Sequence, residues 1–236
     1  MTDYLNDISP RMAAKIAGAG YLVIILCGVF AEFFVRSRLI VPGDAAATAS
    51  NIMASEFLFR IGIAGDLIML VFDVVVALAL YVLLRPVNKS LALLAAFFRL
   101  THTAINGINL LNSVFALLLV NGPGYLTSFR PDQLYSQMLL FLNAHSYGYL
   151  IALVFFGFHC LILGYLIIKS DYIPGVLGIL MIAASFGYLI DSFANILLSG
   201  YADYKTIFLI IVAVPAIVAE LSLCLWLLFK GGEIRI

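Results

Sequence analysis

Six stretches of this chain are each apolar enough and long enough to cross a bilayer: Ala13 to Val35, Arg60 to Leu84, Leu91 to Val120, Leu139 to Ile168, Pro174 to Leu198 and Ile207 to Phe229. A spanning helix needs about 20 mostly apolar residues. Of the 236 residues, 64% are hydrophobic and 11% charged, against about 25% charged in soluble domains. So little charge cannot cover a soluble surface. The predicted fold is an all-α polytopic membrane helix bundle with six transmembrane helices, read as one integral membrane domain over 1–236. The lipid bilayer is its expected surrounding. A net charge of +0 offers no basic face, so nucleic acid is not an expected partner.

The first apolar run is longer than the h-region of a signal peptide, about 7–15 residues. Arg36 and Arg38 follow it, and Ala45-Ala46-Ala47, which could mimic a cleavage site, lies far away. It reads as a mature helix. Cys27, Cys160 and Cys224 all lie in apolar runs without a C-x-x-C pair. They suggest small hydrophobic residues, not a disulfide framework.

Loop charge sets the expected orientation. The N-terminus, second loop, fourth loop and C-terminus hold seven basic residues, Arg11, Lys15, Arg85, Lys89, Lys169, Lys230 and Arg235. The other side holds four, Arg36, Arg38, Arg130 and Lys205, with Arg60 at the lip. The count predicts both termini in the cytoplasm.

Two loops on the opposite side have their own logic. Pro42-Gly43 makes a turn, and Asp44 can cap a helix running from Ala45 to Phe57. Glu56 and Arg60, four apart, can pair on it. Pro131-Asp132 repeats the pattern before the fourth span. Each combined helix would run to about 60 Å at about 1.5 Å per residue, with Gly62, Gly65 and Gly148 as bend points. Gly-Tyr-Leu recurs at Gly20, Gly124, Gly148, Gly164 and Gly187, where glycine permits close helix approach.

The spans carry polar groups that lipid does not tolerate. Ionisable residues there face a bundle interior or a water-filled cavity. On the third span Arg99, His102, Asn106, Asn109 and Asn112 follow steps of three and four, one helical face. Asp66 and Asp73 share a face of the second span, and His145 and His159 share one of the fourth. Asp191 and Asn195 are neighbours on the fifth. Glu220 follows Pro215 on the sixth.

Depth, counted at about 1.5 Å per residue, sorts them. Asp66 and His102 fall near the midplane, His145 and Asp191 in the outer half, and Asp73, Arg99, His159 and Glu220 in the inner half. The expected binding pocket is therefore an outer funnel of Asp66, His102, Asn106, Asn109, His145, Asp191 and Asn195. Asp66 and His102 form its heart. Below it lies a charged plug in which Arg99 pairs with Asp73 or Glu220. Glu32 pairs with Arg36, four residues on. Five acids in or near the spans face few fixed cations, and full ionisation is costly in a low-dielectric interior. A protonation equilibrium or a bound cation is the natural resolution. The plainer alternative is a set of satisfied, helix-locking polar contacts.

No GxSxG, HExxH, Walker A or strand-linked GxGxxG motif occurs. No lysine lies deep in a span. Two stacked haems would need four axial histidines, and the chain has three. His102, His145 and Asp66 or Asp191 are chemically sensible ligands for zinc or iron, but they come from separate helices without motif spacing. No metal and no cofactor is expected. The sequon Asn88-Lys89-Ser90 falls on the predicted cytoplasmic side.

Several runs resemble a known family: Pro42-Gly43-Asp44-Ala45-Ala46-Ala47-Thr48, Phe59-Arg60-Ile61-Gly62, Leu91 through Leu100, His145-Ser146-Tyr147-Gly148, Phe155-Phe156-Gly157-Phe158-His159, Gly187 through Ser192, and Glu220 through Leu228. They are similar to a bacterial integral membrane family catalogued as domain of unknown function 4386. The resemblance covers nearly the whole chain. It implies a bacterial inner-membrane protein and carries no catalytic residue across.

Three functions fit these residues. The first is a transporter or permease-like protein for a small solute, proton-linked if the midplane acids titrate. The second is an intramembrane enzyme acting on a lipid, with His102 or His145 as base or metal ligand. The third is a non-catalytic subunit or interaction protein. The expected ligand is accordingly a small molecule or a lipid.

Overall fold

The structure is a computed structural model and describes residues 8–122 and 124–234. Arg235, one of the basic residues counted at the C-terminus, and Ile236 lie outside the described residues. The regular elements among the described residues are all helical. Helix α1 (Pro10–Val29) passes without a break into a π-helical segment, Phe30–Arg36, and the short α2 (Ser37–Leu39). Then come α3 (Ala45–Ala54), α4 (Glu56–Leu84), α5 (Lys89–Asn121), α6 (Pro131–Lys169), α7 (Gly175–Leu197) and α8 (Tyr201–Phe229). Six helical segments are long and apolar enough to cross a membrane: Pro10–Leu39, α4, α5, α6, α7 and α8. The protein is an all-α polytopic membrane helix bundle.

Local chemistry explains where the elements stop. Gly43 takes φ +80, a left-handed turn that glycine adopts without steric cost. The Asp44 carboxylate then accepts from the Ala47 N–H at 2.9 Å and caps α3. The expected continuous helix through Phe57 does not form. Ser55 leaves helical geometry (φ −135, ψ 39), and its N–H is shared between the Asn51 and Ile52 carbonyls. The bend therefore sits at Ser55 and not at Gly62 or Gly65, and Glu56 opens a new helix. Arg60 still pairs with Glu56 at 2.6 Å. The fourth span does run on as a single helix of 39 residues.

Packing gathers the chain into two compact units. The first unit comprises Met1–Val23, Phe72–Thr103 and Ala152–Ile236. Glycine sets several of the contacts between its helices. A Cβ on Gly18 would fall 2.7 Å from Leu228 N, joining α1 to α8. A Cβ on Gly164 would fall 2.6 Å from Gly178 O, joining α6 to α7. Gly187 approaches Ile211 O of α8 in the same way. Tyr172 donates to Leu83 O at 2.7 Å and ties the α6–α7 loop to the end of α4.

The second unit comprises Ile24–Val71 and Ala104–Ile151. Val35 and Leu39 pack there with Ala49 and Ile52 of α3, Leu117 and Val120 of α5, and Met138 and Leu142 of α6. Gly62 makes room for Val35, with a Cβ at that position only 2.8 Å from Val35 Cγ1.

Candidate binding site

The π-helical segment builds the centre of the second unit's polar site. The Ser37 N–H reaches back five residues to Glu32 O, the wider turn that often marks function. Arg36, at the end of that turn, bonds two carboxylates at once. Nε meets Glu32 Oε2 at 2.8 Å, and Nη1 meets Asp66 Oδ2 at 2.8 Å. Glu32 is largely exposed and Asp66 is 8% exposed at its side chain. The expected Glu32–Arg36 pair is present. Asp66 shares that arginine. A charge-assisted bond of this kind is worth more than a neutral one.

Arg36 and Asp66 line a cavity of about 30 Å³ with Gly62, Ser113, His145 and Ser146. That is room for about two waters. Asn109 and His145 brace its wall. The Asn109 side-chain amide donates to His145 O at 2.8 Å, and His145 Nδ1 donates to Asn109 O at 3.3 Å. A carbonyl only accepts, so Nδ1 carries the ring proton and Nε2 is the acceptor of the neutral imidazole. Asn112 donates to Asn109 Oδ1 at 2.9 Å. Gly148 lies against the Asn109 side chain, and any Cβ there would overlap it. Its role is to admit Asn109, not to bend α6, which continues through it. Asn106 is buried on the same face of α5.

The first unit holds a second polar cluster around Arg99, which is 0% exposed. Arg99 Nη2 meets Asp73 Oδ1 at 2.5 Å. Arg99 Nη1 donates to the Tyr21 hydroxyl at 2.9 Å and to His159 Nε2 at 3.2 Å. His159 can accept there because its Nδ1–H goes to Ala95 O at 2.9 Å. His102 is fixed in the same way, with Nδ1–H to Ala152 O at 3.1 Å. Its Nε2 stands 3.7 Å from Asp73 Oδ2, and its ring packs on Phe156. The Thr103 hydroxyl lies 2.9 Å from Arg99 O and 3.3 Å from Asp73 Oδ2. Arg99 also stacks over Tyr21, 4.8 Å from the ring centroid.

The predicted residues are thus divided between separate groups. Asp66, Asn109 and His145 gather in the second unit. His102 belongs to the Arg99 cluster of the first unit, with Asp73 as its acid. Asp191 accepts from the Tyr201 hydroxyl at 2.6 Å, and Asn195 reaches the same hydroxyl. Glu220 accepts from Tyr188 instead of pairing directly with Arg99. Among the described residues no group of three or more His, Cys, Asp or Glu is placed to hold a metal ion.

Sequence reasoning did not single out Tyr21, Thr103, Ser113 or Ser146. Thr103 was findable, since it stands four residues after Arg99 on the same face. Tyr21 lies in one of the recurring Gly-Tyr-Leu triplets, and glycine in four of these, at 20, 148, 164 and 187, sits at a close helix approach. Ser113 and Ser146 carry no signal that separates them from any small helical residue.

Comparison with known proteins fits these features. The family model described as Domain of unknown function (DUF4386) matches residues 16–231. An uncharacterised protein of Archaeoglobus fulgidus is 33% identical over 189 residues, covering 78% of this chain and 95% of its own length. No solved structure matches.

Proposed function

Taking as premise that the chain belongs to the family described as Domain of unknown function (DUF4386), we propose from the site's geometry that it moves a small polar solute across the membrane. The observation that carries this reading is the Arg36–Asp66 pair lining a cavity inside spanning helices. Ionisable groups at such a place are costly and are kept where they serve a pathway. The cavity is lined by both charged residues and by the polar residues Ser113, Ser146 and His145. A small zwitterion matches that set. Its carboxylate competes for Arg36, and its ammonium competes for Asp66 or Glu32. Either exchange opens the internal pair, so the cavity enlarges from two waters to a solute. In this reading the protein lies in a cell's inner membrane with both termini in the cytoplasm.

The test is uptake into proteoliposomes of three probes of similar size, glycine, acetate and methylammonium. Glycine should enter faster than into protein-free vesicles, and Asp66→Asn should cut that rate at least tenfold. Equal entry of all three with and without protein would overturn the reading.

One observation favours a rival. A cavity of about 30 Å³ is also what a hydrated structural core would hold. A purely helix-locking role predicts no flux and a loss of stability alone in Asp66→Asn.

A further inference from the structure

Ser37 ends the π turn and donates two hydrogen bonds across it. In an α turn its N–H would take the carbonyl four residues back, Phe33 O. Here the N–H takes Glu32 O, five residues back, and the Ser37 hydroxyl takes Phe33 O at 2.7 Å. The side chain thus serves the carbonyl that the backbone N–H has left. Phe33 and Phe34 are both exposed on a helix apolar and long enough to span, so this face meets acyl chains. No water is at hand there to bond an open carbonyl.

The extra residue of the turn decides which side chain meets α4. A π turn holds one residue more than an α turn, and one residue is about 100° of helical rotation. With the turn present, Val35 sits over Gly62, its Cβ 3.3 Å from where a Cβ at 62 would stand. Arg36 then reaches Asp66 at 2.8 Å. Relaxing the turn to α geometry would rotate one side against the other by that angle. α1 holds 20 residues on one side. α2 holds three on the other, and the chain leaves the helix at Ile40 (φ −94, ψ 118), so the short side turns. Phe34 would come over Gly62, and Val35 would take the place of Arg36 before the Asp66 carboxylate. Glu32 does not select between the two registers. It bonds Arg36 across four residues, a spacing that pairs equally in an α-helix.

We infer that Ser37 is a positioning residue for the Arg36–Asp66 site: its hydroxyl holds the π turn, and the turn aims Arg36 at Asp66. It acts through the backbone register. The inference concerns the site's geometry and stands whether or not a solute crosses.

The experiment reads the register by disulfide formation in the full chain in lipid nanodiscs, with Cys27, Cys160 and Cys224 replaced by alanine. A disulfide needs Cβ atoms about 3.5–4.5 Å apart. Two pairs are compared, Val35→Cys/Gly62→Cys for the present register and Phe34→Cys/Gly62→Cys for the relaxed one. With Ser37 intact the first pair should oxidise at least tenfold faster than the second. Ser37→Ala should reverse that order, and Ser37→Thr, which keeps a hydroxyl, should not. Deleting Phe33 removes the extra residue, so a plain α turn then delivers Val35 and Arg36 to their present places. In that background Ser37→Ala should leave the first pair the faster. An unreversed order in Ser37→Ala would overturn the inference and assign the register to the packing of Val35 on Gly62. A second pair as fast as the first with Ser37 intact would overturn it too. If Ser37→Ala fails to fold, the deletion background decides, because loss of the first pair's lead there would contradict the register argument. Glycine flux enters none of these outcomes.

Discussion

Asn109 and His145 hold each other reciprocally, side-chain amide to carbonyl at 2.8 Å in one direction and ring N–H to carbonyl at 3.3 Å in the other. The bridge fixes the His145 tautomer and leaves Nε2 as the acceptor of a ring that lines the same cavity as Arg36 and Asp66. Asn109→Ala should remove both the amide donor and the constraint on the ring. The expected loss is about 1–3 kcal/mol, the cost of a buried hydrogen-bonding group left unpaired. It is read by chemical denaturation, with the His145 ring nitrogens becoming a tautomeric mixture. A single unchanged tautomer in the variant would show that the bridge does not set it.

Gly148 exists to receive Asn109. Gly148→Ala should destabilise by about 1–3 kcal/mol through overpacking. Because the overlap is with one side chain, the double variant Asn109→Ala/Gly148→Ala should lose less than the sum of the two single changes. Additive losses would mean that the crowding involves other neighbours.

Arg99 is fully buried against Asp73, and Asp73 is 3% exposed. Arg99→Ala leaves that carboxylate without its partner, an effect of about 3–5 kcal/mol. Adding Asp73→Asn should recover part of the loss, because the stranded charge is removed. Thermal unfolding in detergent measures both. Equal stability of wild type and Arg99→Ala would contradict a structural role for the pair.

Gly164 and Gly178 meet backbone to backbone, with a Cβ on Gly178 only 2.5 Å from Gly164 O. Carbonyls on a helix cannot rotate aside as a side chain can. Alanine at either position should separate α6 from α7 and cost about 1–3 kcal/mol, more than alanine at Gly175, where the space is open.

The basic-residue count predicts cytoplasmic termini. A reporter fused after Ile236 should be active only on the cytoplasmic side, and one inserted after Val120 only on the opposite side. An external C-terminal reporter would reverse the orientation.

Hydropathy made the six spans legible, because about 20 apolar residues have no other stable use in one piece. The stripe from Arg99 to Asn112 was legible because helical phase depends only on spacing. Partnership between helices was not. Arg36 looks satisfied by Glu32 four residues earlier, and nothing in the sequence shows the π turn that accompanies its reach to Asp66. His102 and Asp66 share a depth by residue count, but depth is one coordinate, and the partners also depend on how each helix is rotated. Gly148 reads as a bend until the Asn109 side chain is seen against it. Ser55 breaks α3 from α4 with no proline or glycine to announce it.

Solute transport requires the Arg36–Asp66 cavity to be reachable from water, and cysteine chemistry measures that directly. Cys27, Cys160 and Cys224 are replaced by alanine, and Ser113→Cys is placed in the cavity wall, with Thr127→Cys in the exposed loop as control. The cavity cysteine in proteoliposomes should react with a small membrane-impermeant thiol reagent, and glycine should slow the reaction at least twofold. A cavity cysteine that stays unreactive from both sides of the membrane, while the loop cysteine is labelled, would contradict solute transport.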